Sequence, residues 1–316
     1  MINFKFEKAY LIAGFPLWSF KSEQKRFRIG KVTIGGAMGE NPVVLIGSIF
    51  YHGQKSLDFD QESGKFNCDE AERLIKLQEE FSDKTGLPSM LDVVLPSKKW
   101  IGLVIDFVTS VTDTPILLDA ASADIRISAL DYVKEVGIED KCIYNSLNPE
   151  SKATEFEKIK EVDLKSAVLL AFNAKNMTAM GRVEAIKQIL PQVINSGIEK
   201  PLVDACVLDV PTLGSAFKAV FDLKNEFGNP TGCGAHNAVS TWKGLKPKMG
   251  SQATKPCSAT ANAITIMAGA DFILYGPMED APYVFPAVAM IDAAVAQLLI
   301  EKGKMPSPSH PIFKIA

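Results

Sequence analysis

The chain alternates short apolar runs with longer stretches of helical periodicity, and the apolar runs turn polar at their ends. Met90-Leu-Asp92, Ile116-Leu-Leu-Asp119, Cys142-Ile-Tyr-Asn145, Leu169-Leu-Ala-Phe-Asn173, Leu202-Val-Asp204 and Gly234-Ala-His-Asn237 all have this form. A buried strand that becomes polar only at its C-terminal end places side chains at the mouth of something. Such strands, separated by helices, describe a parallel barrel whose active face gathers the strand ends. Eight strands are expected, at 43–49, 89–94, 116–119, 142–148, 167–172, 201–204, 231–235 and 271–275. Helices between them are expected at 69–85, 98–111, 123–136, 150–162, a stretch ending at Asn195, 213–227, 258–268 and 283–302. Gly86, Gly137, Gly197, Gly228 and Gly269 follow five of these helices, as C-terminal caps do. The predicted fold is a TIM (β/α)8 barrel forming a single domain over residues 43–316. Residues 1–42 precede it as an N-terminal extension, with a β-hairpin at Phe27–Ile34 turning at Gly30-Lys31. Gly35-Gly36 and Gly39 lack the spacing of a dinucleotide or phosphate-loop fingerprint, so a doubly wound sheet is not indicated.

Composition narrows the class without naming a chemistry. Hydrophobic residues at 47% and charged residues at 22% match an ordinary globular enzyme. A formal net charge of -3 gives no reason to expect a nucleic acid or an anionic membrane as partner. Five scattered cysteines, an odd number, fit a reducing cytoplasm better than a disulfide framework. Lys5, Glu7 and Lys8 stand before any apolar run, unlike a signal peptide. The apolar segment Val284–Ile300 contains Pro286 and Asp292 and reads as a buried helix, not a membrane span. Its many small apolar residues, from Ala287 to Val295, lead to the expectation of a homodimer.

The candidate site is the set Asp92, Asp119, Asn145, Asn173, Asp204 and Asn237. Strand alternation puts Leu117 with Asp119, Ile143 with Asn145 and Leu202 with Asp204 on common faces. Any one Asp or Asn at a strand end serves equally well as a helix cap. Six at successive strand ends are better read as one pocket. Carboxylates accept from ring N–H and amino groups, while carboxamides donate and accept, so the pocket suits a flat polar heterocycle. Cys233 and His236, with Cys206 and Cys257 near in barrel order, raise a zinc alternative. They lack paired ligand spacing and lie in apolar stretches, so no metal is expected. His52 and His236 are acid–base candidates. If residues 234–237 are extended, His236 and Asn237 point oppositely, and Asn237 is the one expected to face the pocket.

Longer motifs carry a resemblance. Leu45-Ile-Gly-Ser-Ile-Phe-Tyr-His52, Met90-Leu-Asp-Val-Val94, Ile143-Tyr-Asn-Ser-Leu-Asn148, Val207-Leu-Asp-Val-Pro211, Ala238-Val-Ser-Thr-Trp242 and Leu274-Tyr-Gly-Pro277 resemble the H subunit of tetrahydromethanopterin S-methyltransferase and its bacterial tetrahydrofolate methyltransferase relatives. The likeness runs from about Gly30 to Lys302. It implies methyl exchange between N5 of a tetrahydropterin and cobalamin carried by a separate corrinoid protein. More distantly, the chain is similar to pterin-binding barrel methyltransferases. That likeness implies pterin-ring contacts at Asp119, Asn145 and Asp204, with Asp92 and Asn173 less securely matched, and Asn237 facing N5. His236 departs from those relatives. Met1–Arg28 has no evident counterpart, which favours tetrahydrofolate over tetrahydromethanopterin as the pterin substrate. A tetrahydromethanopterin-specific component of a larger assembly, a zinc-dependent thiol methyltransferase and a non-catalytic barrel within such an assembly remain alternatives.

Overall fold

A computed structural model describes residues 19–315; Met1–Trp18, part of the expected extension, lie outside the described residues. The chain opens with hairpin strands β1 (Arg26–Ile29) and β2 (Val32–Gly35), turning at Gly30-Lys31 as expected. Eight parallel strands follow: β3 (Val44–Ile49), β4 (Ser89–Val94), β5 (Ile116–Asp119), β6 (Cys142–Leu147), β7 (Ser166–Leu170), β8 (Lys200–Asp204), β9 (Thr231–Cys233) and β10 (Phe272–Pro277). They pair in sequence order, and β10 pairs with β3 to close the barrel. The outer layer comprises α1 (Cys68–Thr85), α2 (Ile101–Val111), α3 (Ala123–Val136), α4 (Ala153–Val162), α5 (Ala179–Asn195) and α6 (Val210–Phe227). Between β9 and β10 come α7 (Asn237–Ser240), α8 (Leu245–Met249) and α9 (Thr254–Ile264), and the chain ends with α10 (Ala281–Glu301) and a short tail. The TIM barrel expected from the strand pattern is therefore present.

Local chemistry explains most boundaries. The Asn67 side chain accepts from the Glu70 N–H to start α1, and Gly86 at φ 78° stops it. Helix α6 begins at Val210, three residues before the expected Leu213. Asp209 accepts from the Thr212 N–H, Thr212 answers to the Asp209 N–H, and Pro211 occupies the first turn. Strands β7 and β9 end earlier than expected, at Leu170 and Cys233, and the short helices α7 and α8 stand outside the expected set.

The barrel interior is built from alternate strand residues. Val44, Ile46, Met90, Leu117, Ile143, Val168, Leu202, Phe272 and Leu274 form one buried cluster inside the barrel. Ile29, Val32 and Ile34 of the hairpin belong to the same cluster. The hairpin is thus the plug of the barrel's N-terminal end, packed into the interior. Residues 22–25 continue this attachment, with the Lys25 N–H donating to the Gly228 carbonyl at 2.7 Å. A larger cluster fills the space between strands and helices.

Helix α10 with its preceding turn (278–301) is long and apolar enough to cross a membrane by length and composition. Here Val284, Phe285, Val288, Ala289 and Val295 are buried in the core, as is Asp292, which accepts from the Val43 N–H at 3.0 Å. Met290 and Ile264 remain exposed on the outer side of α10 and α9.

Ile34 is fully buried in the plug. Ile34→Ala should cost about 3 kcal/mol, since a cavity opens where strands and hairpin cannot both collapse. Urea unfolding should show a lower midpoint with an unchanged slope; a loss under about 1 kcal/mol would mean the plug does not share the barrel's cooperative core.

Candidate active site

One step above the apolar interior, the inward positions turn polar. Register places Ser48 beside Asp92, Asp92 beside Leu117, and Asp119 beside Asn145, while Leu170 stands beside Asp204 and Asp204 beside Gly232. Asp92, Asp119, Asn145 and Asp204 therefore form the next inward layer above Met90, Leu117, Ile143 and Leu202. The strand-end residues on β4, β5, β6 and β8 are gathered as the sequence pattern implies.

Two members of the ring are hydrogen-bonded to each other, and the others take main-chain donors. Asp92 accepts from the Ser48 hydroxyl at 2.7 Å and from the Asn145 amide at 3.1 Å. Burial pushes Asp92 up to about 7, with the Asp119 charge adding to it and the two donors opposing it. Burial also raises Asp119, and the Arg126 guanidinium pulls against that rise. Asp204 is pushed up to about 6 by burial, although it accepts backbone N–H donation from Cys206, at 2.7 Å, and from Gly234. These carboxylates are poised to gain stabilisation from any ligand that supplies N–H donors. The register between β6 and β7 shifts between Asn145 and Leu147, and the Asn145–Ser146 peptide is cis.

Asn173 and Asn148 sit differently. Asn173 lies in the loop beyond β7, and its side-chain oxygen accepts from the N–H groups of Lys175, at 3.0 Å, and Asn176. Asn148 does likewise for the Glu150 N–H. Both serve as turn-forming carboxamides, whereas Asn145 directs its amide to the ring.

On the β9–β10 side the inward positions are glycines, and the chain folds in to fill the gap. Residues 234–237 are not extended: the strand stops at Cys233, His236 has helical dihedrals, and Asn237 opens α7. The alternation argument opposing His236 to Asn237 therefore does not apply. The Asn237 amide donates to the Val207 carbonyl at 3.1 Å, which ties this turn to the loop after β8. His236 Nδ1 lies 3.0 Å from the Leu274 carbonyl, and burial lowers its pKa, so the ring is neutral with the proton on Nδ1. Its imidazole packs over Gly276, where a Cβ would come within 2.7 Å of the ring. His52 is exposed in the loop after β3.

Sequence reasoning missed two contributors. Ser48 was readable in principle, because it lies two residues beyond the inward Ile46. Arg182 carried no signal. It is fully buried on α5 and donates to the Ala205 carbonyl at 2.6 Å, to the Cys206 carbonyl at 2.9 Å and to the Met177 carbonyl. One guanidinium thus clamps the loops after β7 and β8 and holds a positive charge near Asp204. As to zinc, burial pushes the Cys206 thiol up to about 12 and Cys233 higher still. Among the described residues, no three His, Cys, Asp or Glu side chains are grouped to hold a metal ion.

The sequence profile of the tetrahydromethanopterin S-methyltransferase MtrH subunit matches residues 22–305, the whole barrel and its plug. The chain belongs to that family. It is 37% identical over 310 residues to the tetrahydromethanopterin S-methyltransferase H subunit of Methanothermobacter thermautotrophicus, covering 95% of this chain and all of that one. The H subunit of the putative methyltransferase mtx from Methanosarcina barkeri is 35% identical, covering 94% of this chain and 99% of that one. These matches correct one expectation. At 95% coverage only about sixteen residues stay unmatched, so Met1–Arg28 cannot lack a counterpart throughout. Among solved structures, the barrel superposes on Yersinia pestis dihydropteroate synthase with a pterine–sulfa conjugate at a TM-score of 0.58 and 13% identity. That match covers 89% of this chain and all of the other. Xanthomonas albilineans dihydropteroate synthase gives 0.57 at 13%, covering 90% and 100%. These two likenesses concern the fold.

The raised Asp204 has a consequence for the free protein. Folding favours its protonated form, so stability falls as pH rises from the ordinary carboxylate range through about 6, then stays flat. Asp204→Asn should therefore stabilise the ligand-free protein by on the order of 2–3 kcal/mol at pH 7.5. The gain should shrink below pH 6 and vanish near pH 4, where the carboxyl is protonated in both states. Thermal unfolding across that range checks this; a gain independent of pH would show that folding does not raise Asp204.

Proposed function

We propose that the protein moves a methyl group between N5 of a tetrahydropterin and a corrinoid carried by a partner protein. The observation that supports this most is the inward ring of Asp92, Asp119, Asn145 and Asp204 with Asn237 anchored beside it. A reduced pterin presents ring N–H and amino donors along one edge and N5 towards the other. Carboxylates raised by burial accept those donors and regain the solvation they lost. Asn145, its amide committed to Asp92, keeps its oxygen as an acceptor.

The corrinoid, when docked, supplies a Co(I) nucleophile that accepts the methyl as a cation. This chain's task is at N5, which recovers the C–N electron pair and takes up a proton as the bond breaks. Asn237 uses one amide hydrogen on the Val207 carbonyl, and its second is available to N5. That hydrogen bond strengthens as N5 gains electron density, so it favours the transition state over the ground state.

The choice of pterin rests on the relatives. The expectation of tetrahydrofolate depends on an N-terminal segment without a counterpart, and the match across 95% of the chain removes that reason. The two Methanothermobacter relatives are named for tetrahydromethanopterin, which is the pterin we assign here.

Calorimetric titration should show methyl-tetrahydromethanopterin binding at least tenfold more tightly than methyltetrahydrofolate; the reverse order would return the assignment to folate. Asn237→Ala should slow single-turnover transfer to free cob(I)alamin by roughly a hundredfold while pterin affinity changes little. A parallel loss of affinity and rate would remove Asn237 from N5.

A further inference from the structure

The long connection from β9 to α9 does more than deliver Asn237. Leu208, Val210 and Trp242 are 45%, 44% and 39% exposed, large apolar side chains in water at the barrel's working face. They lie together because their loops are tied: the Thr241 hydroxyl donates to the Leu208 carbonyl at 3.0 Å, and Asn237 donates to the neighbouring Val207 carbonyl. Beside them Lys243, Lys246 and Lys248 are exposed and make no ion pair among the described residues. The sequence is lopsided here. Residues 227–270 contain four lysines and no Asp or Glu, in a chain whose net charge is -3.

The geometry points to this rim as the surface that receives the corrinoid, an inference that rests on the methyl-transfer reading above. A methyl on N5 beside Asn237 is reached only by a metal brought within bonding distance, so whatever carries the cobalt must cover the rim next to that residue. The corrin is a broad macrocycle with an apolar, methyl-bearing periphery, which fits an exposed ledge of Leu208, Val210 and Trp242. Its nucleotide tail carries a phosphodiester anion, which fits the unpaired Lys243, Lys246 and Lys248; the exposed acid between Leu208 and Val210, Asp209, is engaged in capping α6. Continuity with Asn237 and complementary charge together select this occupant. A lipid surface would have no reason to lie against the chemical site.

The step keeps its balance on this surface. The N5–CH3 bond breaks with its electrons going to N5, the Co(I) pair forms the new Co–CH3 bond, and a proton from water satisfies N5.

Steady-state transfer from the methylated pterin to free cob(I)alamin tests the ledge without a carrier protein. The Leu208→Ser, Trp242→Ser double variant should raise KM for cob(I)alamin by about tenfold or more. Its kcat at saturation should stay within about twofold, and pterin affinity should be unchanged. KM of the unaltered protein should rise with ionic strength, and Lys243→Gln, Lys246→Gln, Lys248→Gln should flatten that rise. An unchanged KM in both variants overturns the proposal, as does a joint loss of kcat and pterin affinity, which would make Trp242 a prop for the Asn237 turn. A blue shift of Trp242 emission on phosphatidylglycerol vesicles with no change in cob(I)alamin KM would assign the ledge to lipid and overturn it too. If the unaltered protein transfers no methyl from either methylated pterin, the functional reading falls and the ledge with it.

Discussion

Everything at the working face depends on the inward register of a closed parallel barrel. Each strand contributes alternate residues to the interior, and closure brings those residues into layers. The lower layer is wholly apolar and is sealed from below by Ile29, Val32 and Ile34 of the hairpin. The layer above it holds Asp92, Asp119, Asn145 and Asp204. Carboxylates set on an apolar floor lose water on one side and keep it on the other, and this raises them without neutralising the pocket. A looser floor would admit water from below and relax the same groups towards ordinary behaviour.

The surrounding polar groups limit that cost without cancelling it. Ser48 and Asn145 donate to Asp92, Arg126 offsets burial at Asp119, and backbone N–H groups support Asp204. None of these partners is strong enough to return the carboxylates to their usual range. A site saturated by its own protein would have nothing left for a ligand to satisfy. Arg182 follows the same rule in another form. Its charge is buried, yet its hydrogen bonds go to loop carbonyls, so it fixes the geometry of the rim near Asp204 while leaving the carboxylate oxygens to the pocket.

The β9–β10 side solves a different problem. Side chains at Gly232 or Gly276 would strike Phe272 or His236, so the inward wall there is open. The turn carrying His236 and Asn237 folds into that opening, held by the carbonyls of Leu274 and Val207. A carboxamide placed on a helical turn instead of a strand, as Asn237 is, can stand closer to the mouth than a strand residue. The same turn carries the chain outwards to Trp242 and the lysines, so Asn237 and the exposed ledge proposed for docking lie on one continuous segment tied to the loop after β8.

Much of this was determined by the sequence alone. Periodicity of two along each strand, glycine after the helices and the Gly30-Lys31 turn act over a few residues, so the barrel, the hairpin and Asp92, Asp119, Asn145 and Asp204 could be read without coordinates. Tertiary structure decided the rest. Asn145, Asn148 and Asn173 look alike in sequence, and only the register across β5, β6 and β7 separates a ring member from two turn formers. Residues 234–237 read as an extended strand end until Gly276 is seen to make room for the His236 ring. The hairpin read as an appendage because the apolar faces of β1 and β2 do not reveal what they cover, and Arg182 gave no sign because its partners are main-chain carbonyls from distant loops. Local chemistry specifies which side of a strand a residue occupies; barrel closure alone specifies which residues meet, because that depends on contacts between segments far apart in the chain.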